Sequence, residues 1–153
     1  ALTYQTFLTW RGFLDREPPR RPDPVPPAAP PSFRMVDWKY GFQGSRDRES
    51  GAIHLPPQRV SVKGGNVDDM EMVPMADVEA KVTTFTIDRL AYSLSPPTVG
   101  VIIDFDGGGR FKAELTDAEP DEVAVGMRVK MTFRRLMTAD GVHNYFWKAT
   151  PVR

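Results

Sequence analysis

The hydrophobic rhythm of the chain changes several times between its ends. Leu2–Leu14 (LTYQTFLTWRGFL) sets Tyr4, Phe7, Leu8, Arg11 and Leu14 three and four residues apart, with Trp10 and Phe13 widening the stripe. That spacing predicts an amphipathic helix of roughly three turns. Pro18–Pro31 (PPRRPDPVPPAAPP) breaks the pattern, because proline lacks an N–H and fixes φ. It predicts an extended polyproline tether of about 3.1 Å per residue, read either as a linker or as a strap along a partner. Met35–Phe42 (MVDWKYGF) alternates like a short strand or extended arm. From Met72 onward strands dominate: Val78–Leu90, long enough to curve, then the apolar run Thr98–Phe105. The glycines of Asp106–Gly109 follow as a hairpin turn, and Arg110–Leu115 returns from it. Thr116–Gly126 reads as a connection with a single helical turn. Met127–Leu136 and Asn144–Ala149 form the last hairpin about Ala139-Asp140-Gly141.

Five strands in this order, with Val-x-x-Gly-Met-x-Val leading into the fourth, indicate a mainly β protein built on a five-stranded Greek-key barrel of the OB type. The expected organisation is an N-terminal helix at 1–16, a proline-rich strap at 17–34, a ribbon-like segment at 35–71 and the OB fold at 72–153. An aromatic helix followed by such a strap needs a surface to bury against. Since the chain starts at Ala1 without methionine, the helix is expected to dock on another domain or subunit, and the chain to be the tail of a longer polypeptide.

Lys+Arg and Asp+Glu both number 20, so no long-range field attracts nucleic acid or anionic membrane. No cysteine is present, which removes a disulfide framework and leaves a cytoplasmic setting as the expectation. No apolar run approaches the ~20 residues a bilayer needs. The absence of cysteine also sharpens a puzzle at Ser45–Gly65 (SRDRESGAIHLPPQRVSVKGG). Cysteines at Asp47, Ser50, Ser61 and Gly64 would make the two CxxC knuckles of a small zinc ribbon. The segment is therefore a cysteine-free, rubredoxin- or zinc-ribbon-like unit with its ligand positions vacated.

Catalytic chemistry has little to work with. His54 and His143 lie in separate elements without a nucleophile beside them, and a lone histidine is weak support for a general base. A metal set of Asp47, His54 and Asp68 or Asp69 is conceivable, but its spacing is irregular. Asp106–Gly109 lacks the Lys-Ser/Thr of a phosphate loop. A nucleic-acid reading would stack bases on Phe85, Phe111 or Phe133 and meet phosphates with Arg89, Arg110, Arg134 and Arg135, against the neutral charge balance.

Gly51–Val60 (GAIHLPPQRV), Ala91–Pro97 (AYSLSPP), Val101–Asp106 (VIIDFD) and Val125–Phe133 (VGMRVKMTF) together resemble the DUF35 family of acyl-CoA-associated OB-fold proteins. The likeness spans roughly residues 36–153. Tyr4–Pro24 looks like the tail of a hydroxymethylglutaryl-CoA-synthase-like, thiolase-fold protein. The resemblance implies a non-catalytic accessory or scaffold domain in a thiolase-like acyl-CoA enzyme complex, hetero-oligomeric, with coenzyme A thioester shared with the partner and no cofactor held by this chain alone. It implies a partner interface at Tyr4, Phe7, Leu8, Trp10, Arg11, Phe13, Trp38 and Tyr40. Tyr92, Ser95, Pro96 and Pro97, with Arg89 and Arg110, are the acyl-CoA channel candidates, and Arg128 is a further candidate for a CoA phosphate. No nucleic acid or membrane partner is expected; the alternative is a stand-alone OB module for single-stranded nucleic acid or oligosaccharide. Family zinc does not carry over, because the cysteines are missing. Without metal, the ribbon is expected to depend on a partner surface for its order.

Overall fold

The structure, a computed structural model, describes residues 3–13, 24–90, 93 and 95–153, with only the backbone given at Gln5 and Thr9. The N-terminal helix α1 runs over Tyr4–Trp10, shorter than the periodic stretch that predicts it. The tether is not extended throughout. Residues 24–28 are irregular, and Ala29–Arg34 then forms helix α2. Pro30 and Pro31 sit in its first turn, where a missing N–H costs nothing because that donor has no intrahelical acceptor.

MVDWKYGF is likewise no strand. Val36–Lys39 forms a single helical turn, α3, and the reason is tertiary: winding the backbone carries Trp38 into the core. Its ring stacks on Phe42 at 5.1 Å and meets Phe111 and Phe146 edge-on at 5.4 and 5.8 Å. The Trp147 indole N–H donates to the Lys39 carbonyl at 3.1 Å, fixing the turn against the barrel.

The ribbon is a three-stranded antiparallel sheet ordered β2-β1-β3, from β1 (Gln43–Asp47), β2 (Ile53–His54) and β3 (Met70–Pro74). The full length of β3 pairs with β1, Gln43 opposite Pro74 and Asp47 opposite Met70. A border at 71/72 therefore cuts a ribbon strand, and the ribbon extends through Pro74.

The barrel follows in the order β4-β5-β6-β8-β7, from β4 (Ala80–Asp88), β5 (Thr98–Phe105), β6 (Arg110–Leu115), β7 (Arg128–Ala139) and β8 (Val142–Pro151). Strict alternation on β5 turns Val99, Val101, Ile103 and Phe105 inward, as the period-2 rule requires. Two seams close the barrel thinly. Only Ala80–Lys81 of β4 reach β7, and β6 meets β8 through the single parallel pair Leu115 and Ala149. The connection between β6 and β7 holds one 3-10 turn, Pro120–Glu122, with a Glu119–Glu122 capping box. Asp140 and Gly141, both at positive φ, make the two-residue turn of the last hairpin.

Ribbon and barrel share one core. Phe42, fully buried, meets Phe105, Phe111 and Trp147 at 5.9, 5.4 and 5.3 Å. Ile53 and Leu55 lie over Gly109 in the β5–β6 turn, where even a Cβ would come within 3.1 Å of Ile53 and 3.2 Å of Leu55. Glycine at Gly109 serves both the turn, at φ +96°, and this close approach. Among the described residues, no helix is long and apolar enough to cross a membrane.

Candidate functional site

The vacated knuckles converge, though not as four. Asp47 ends β1 fully buried, and its backbone closes the first turn by donating to the Ala52 carbonyl at 2.9 Å and accepting from Gly51 N–H at 2.8 Å. Its carboxylate accepts from the Ser50 hydroxyl and, on the other oxygen, from Glu49 N–H at 3.1 Å and the Asn66 amide at 3.2 Å. The buried Ser61 hydroxyl further favours the charged carboxylate. These donors, the Ser50 hydroxyl first and the Ser61 hydroxyl next, outweigh burial and hold the Asp47 carboxyl well below the usual carboxylate range. Gly64 stays out: a Cβ there would face open space, and Asn66 reaches the centre instead.

The second turn is held by its own bonds. Val60 bridges Val67, and Ser61 N–H donates to the Asn66 carbonyl at 2.9 Å. Arg59 grips Asp68 with two bonds of 2.6 Å. His54 ties the second turn to β1: Val62 N–H lies 3.1 Å from Nε2, and Nδ1 lies 3.3 Å from the Ser45 carbonyl. With Nε2 accepting, Nδ1 carries the proton and donates. The buried Ser45 hydroxyl accepts from Gln58 N–H at 2.8 Å.

This set does not fit zinc. A structural zinc takes thiolate or imidazole ligands; here there are one carboxylate already saturated with donors, two hydroxyls and a glycine. Both His54 nitrogens are engaged, Asp68 is paired with Arg59, and Asp69 lies 3.6 Å from Arg48. No group of three or more histidines or acids able to hold a metal occurs among the described residues.

The channel candidates are only partly brought together. Ser95, Pro96 and Pro97 line a cavity of about 200 Å³ with Glu114, Asp117 and Lys148. Tyr92 lies outside the described residues. Arg89 is exposed beyond the end of β4. Arg110 sits at the opposite end of β6 from this cavity, about 17 Å away at 3.3 Å per residue, and binds Asp104 through two bonds of 2.6 and 2.8 Å. Arg128 is taken by Asp106 and Glu79. The cation that reaches the cavity is Lys148, 2.6 Å from Glu114. Only the strand parity of NYFWKA could have marked it.

Of the interface candidates, Trp38 is a correction, since it is consumed by its own core. Tyr4, Trp10 and Phe13 are 75, 79 and 70 % exposed, Phe7 and Arg11 are exposed as well, and Leu8 is half-buried. Tyr40 is exposed on one side and rests against Phe133 at 6.0 Å, which stacks on Tyr145 at 5.5 Å. The base-stacking platform does not assemble: Phe85 and Phe111 pack on the core, and Arg110 and Arg134 are paired with Asp104 and Asp117.

Residues 72–134 match the family model of the ChsH2 C-terminal OB-fold domain. A DUF35 domain-containing scaffold protein of Methanocaldococcus jannaschii is 27 % identical over 126 residues, covering 79 % of this chain and 89 % of the relative. Another, from Methanothermobacter thermautotrophicus, is 22 % identical over 125 residues, covering 78 % and 93 %. Among solved structures, an Ltp2-ChsH2(DUF35) aldolase chain has the same fold, with a TM-score of 0.60 at 17 % identity, covering 88 % of this chain and 98 % of that one. Barrel topology, the match over residues 72–134 and relatives spanning ribbon and barrel agree in likening this chain to the DUF35 OB-fold proteins.

Proposed function

We propose that the protein is a non-catalytic accessory subunit that docks a thiolase-like enzyme of acyl-CoA metabolism and completes its acyl-CoA channel. The observation that carries the reading is α1 and the residues just after it: Tyr4, Trp10 and Phe13 face solvent in bulk, and aromatic side chains this exposed are what interfaces bury. The relatives named as scaffold proteins and the fold shared with a ChsH2(DUF35) aldolase chain support the same direction. In this reading α1 and the proline strap lie on the partner, whose chain supplies the catalytic residues. The resemblance of Tyr4–Pro24 to the tail of a hydroxymethylglutaryl-CoA-synthase-like protein favours a thiolase-fold chain as that partner, with the thioester shared between the two subunits.

The Ser95–Pro97 turn forms the barrel's contribution to the channel. Its two prolines give a stiff apolar rim, and Lys148 offers a cation to a phosphate or carboxylate when it exchanges its bond to Glu114. Purification of the native protein, with multi-angle light scattering and mass spectrometry of whatever co-elutes, tests this. A thiolase-fold chain in fixed stoichiometry is the expected result; a lone 17.2 kDa species overturns it. Tight binding of fluorescent single-stranded DNA or an oligosaccharide by that lone species would favour a free-standing binding module.

A further inference from the structure

Small ribbons lack the apolar volume to close a core and rely on a metal to join their two turns. Here the joining is visible without one. The buried Asp47 carboxylate receives Glu49 N–H and the Ser50 hydroxyl from the first turn and the Asn66 amide from the second, with the buried Ser61 hydroxyl further favouring its charge. One anion at the end of β1 thus cross-links the two turns through neutral donors from both, Glu49 N–H and Ser50 from the first and Asn66 from the second, as a shared metal would with the charge reversed. The second turn is shaped to deliver them. Ser61 Oγ accepts from Lys63 N–H at 3.2 Å, leaving its proton for Asp47, and Asn66 divides its amide between Asp47 and Glu49, the latter at 2.5 Å. His54 adds a second, independent tie between β1 and the same turn.

We infer that the Asp47 carboxylate stands in the metal's place as the organising centre of the ribbon, so that the ribbon folds without zinc and without a partner surface. On this inference the cross-link belongs to this chain, and a metal-free ribbon has no need to borrow its order from a partner. Charge-assisted bonds to a buried carboxylate are about twice as strong as neutral ones, and removing the acceptor would leave the half-buried Asn66 amide without its link to the first turn. A ribbon centred on oxygen rather than sulfur also has nothing for a chelator to extract and no thiolate to oxidise. The ribbon would then be indifferent to zinc supply and thiol redox state.

The test uses the whole purified chain, produced in zinc-replete medium, with elemental analysis, melting with and without EDTA, and amide hydrogen exchange. The expected result is substoichiometric zinc, a midpoint unmoved by EDTA, and protection within 47–68 in the isolated protein. Asp47→Asn, which keeps the shape and removes the charge, should speed exchange there at least about tenfold while leaving 98–115 unchanged. Should Asp47→Asn fail to fold, Ser61→Ala removes one donor and should give a smaller acceleration in the same amides. Stoichiometric zinc, an EDTA-sensitive midpoint, an unprotected ribbon in the isolated chain, or unchanged exchange in these variants would overturn the inference. So would an acceleration spread equally over ribbon and barrel.

Discussion

The ribbon and the barrel sit against each other in one chain, yet their interiors are chemical opposites. The described buried polar residues, Ser45, Asp47, His54 and Ser61, all lie in the ribbon, while the buried positions of the barrel strands are Val, Ile, Phe, Leu, Met and Ala. Size explains the contrast. Five strands can surround a volume that side chains fill at close packing; three strands of five, two and five residues cannot. A small sheet is thus left to join its loops by directional bonds, which are costly to leave half-made but specify a unique arrangement. The barrel meanwhile offers a greasy face, and the ribbon is anchored to it by what apolar surface it has: Phe42, Ile53 and Leu55.

Phe42 is the point at which that division breaks most completely. It lies between the two units and touches Trp38, Phe105, Phe111 and Trp147. Phe42→Ala should cost about 3–5 kcal/mol, the range for losing a buried aromatic. Guanidinium unfolding followed by tryptophan fluorescence measures this, and a loss under about 1 kcal/mol would mean that the seam is not a shared core.

Gly109 probes the same seam from the barrel side. Gly109→Val would place its branched carbons into Ile53 and Leu55 and force a β-branched residue to φ +96°. Strain and overpacking together should cost about 2–3 kcal/mol. The characteristic outcome is uncoupling: exchange rises in 53–55 and the β5–β6 turn while the barrel seams stay protected.

How much of this was legible follows the same divide. The barrel strands could be read because alternation is a property of the sequence itself: Val99, Val101, Ile103 and Phe105 mark the inner face of β5, and Gly107–Gly109 mark its turn. The OB order then followed from strand count and connection lengths. α3 could not be read, since MVDWKYGF alternates well enough for a strand; the decision was made by a pocket that joins its own Phe42 to Phe111 and Phe146, both distant in sequence. For the ribbon, spacing located Asp47, Ser50 and Ser61 but said nothing of burial. It also pointed to Gly64 where Asn66 does the work, because no motif encodes a lone amide that reaches back 19 residues. Arg110 and Arg128 show a related limit: charge is visible in sequence, but its pairing across strands is not.

Acid should separate the two regions. The Asp47 carboxyl is depressed by its hydrogen bonds, so the stabilisation it gives is fully present above the unfolded aspartate value of about 4 and is lost as pH falls through the lower folded value. Protection of 47–68 should therefore be flat from neutral pH to about pH 4 and decline below it, ahead of the apolar interior of β5. Exchange measured at a series of pH values checks this. Simultaneous loss in both regions would show that the ribbon has no separate acid-sensitive centre.

The smallest effect belongs to the ion pairs on the barrel's outside, where polar bonds resemble the ribbon's in number but not in setting. Arg128 reaches Asp106 at 2.9 and 2.5 Å and Glu79 at 2.6 Å, bonds that raise its own pKa and lower that of Asp106. All three side chains remain more than a third exposed. Water and salt screen such a cluster, and side-chain ordering offsets much of what attraction remains. Arg128→Gln should therefore lower the midpoint by only about 2 °C, and less in high salt. The comparison with Asp47→Asn is what gives the measurement meaning. Arg128 makes three short charged bonds and should matter little; Asp47 makes three to neutral donors and should decide whether the ribbon holds. If the two variants melted alike, burial would not be the variable that separates these polar networks, and the ribbon would need another explanation for its order.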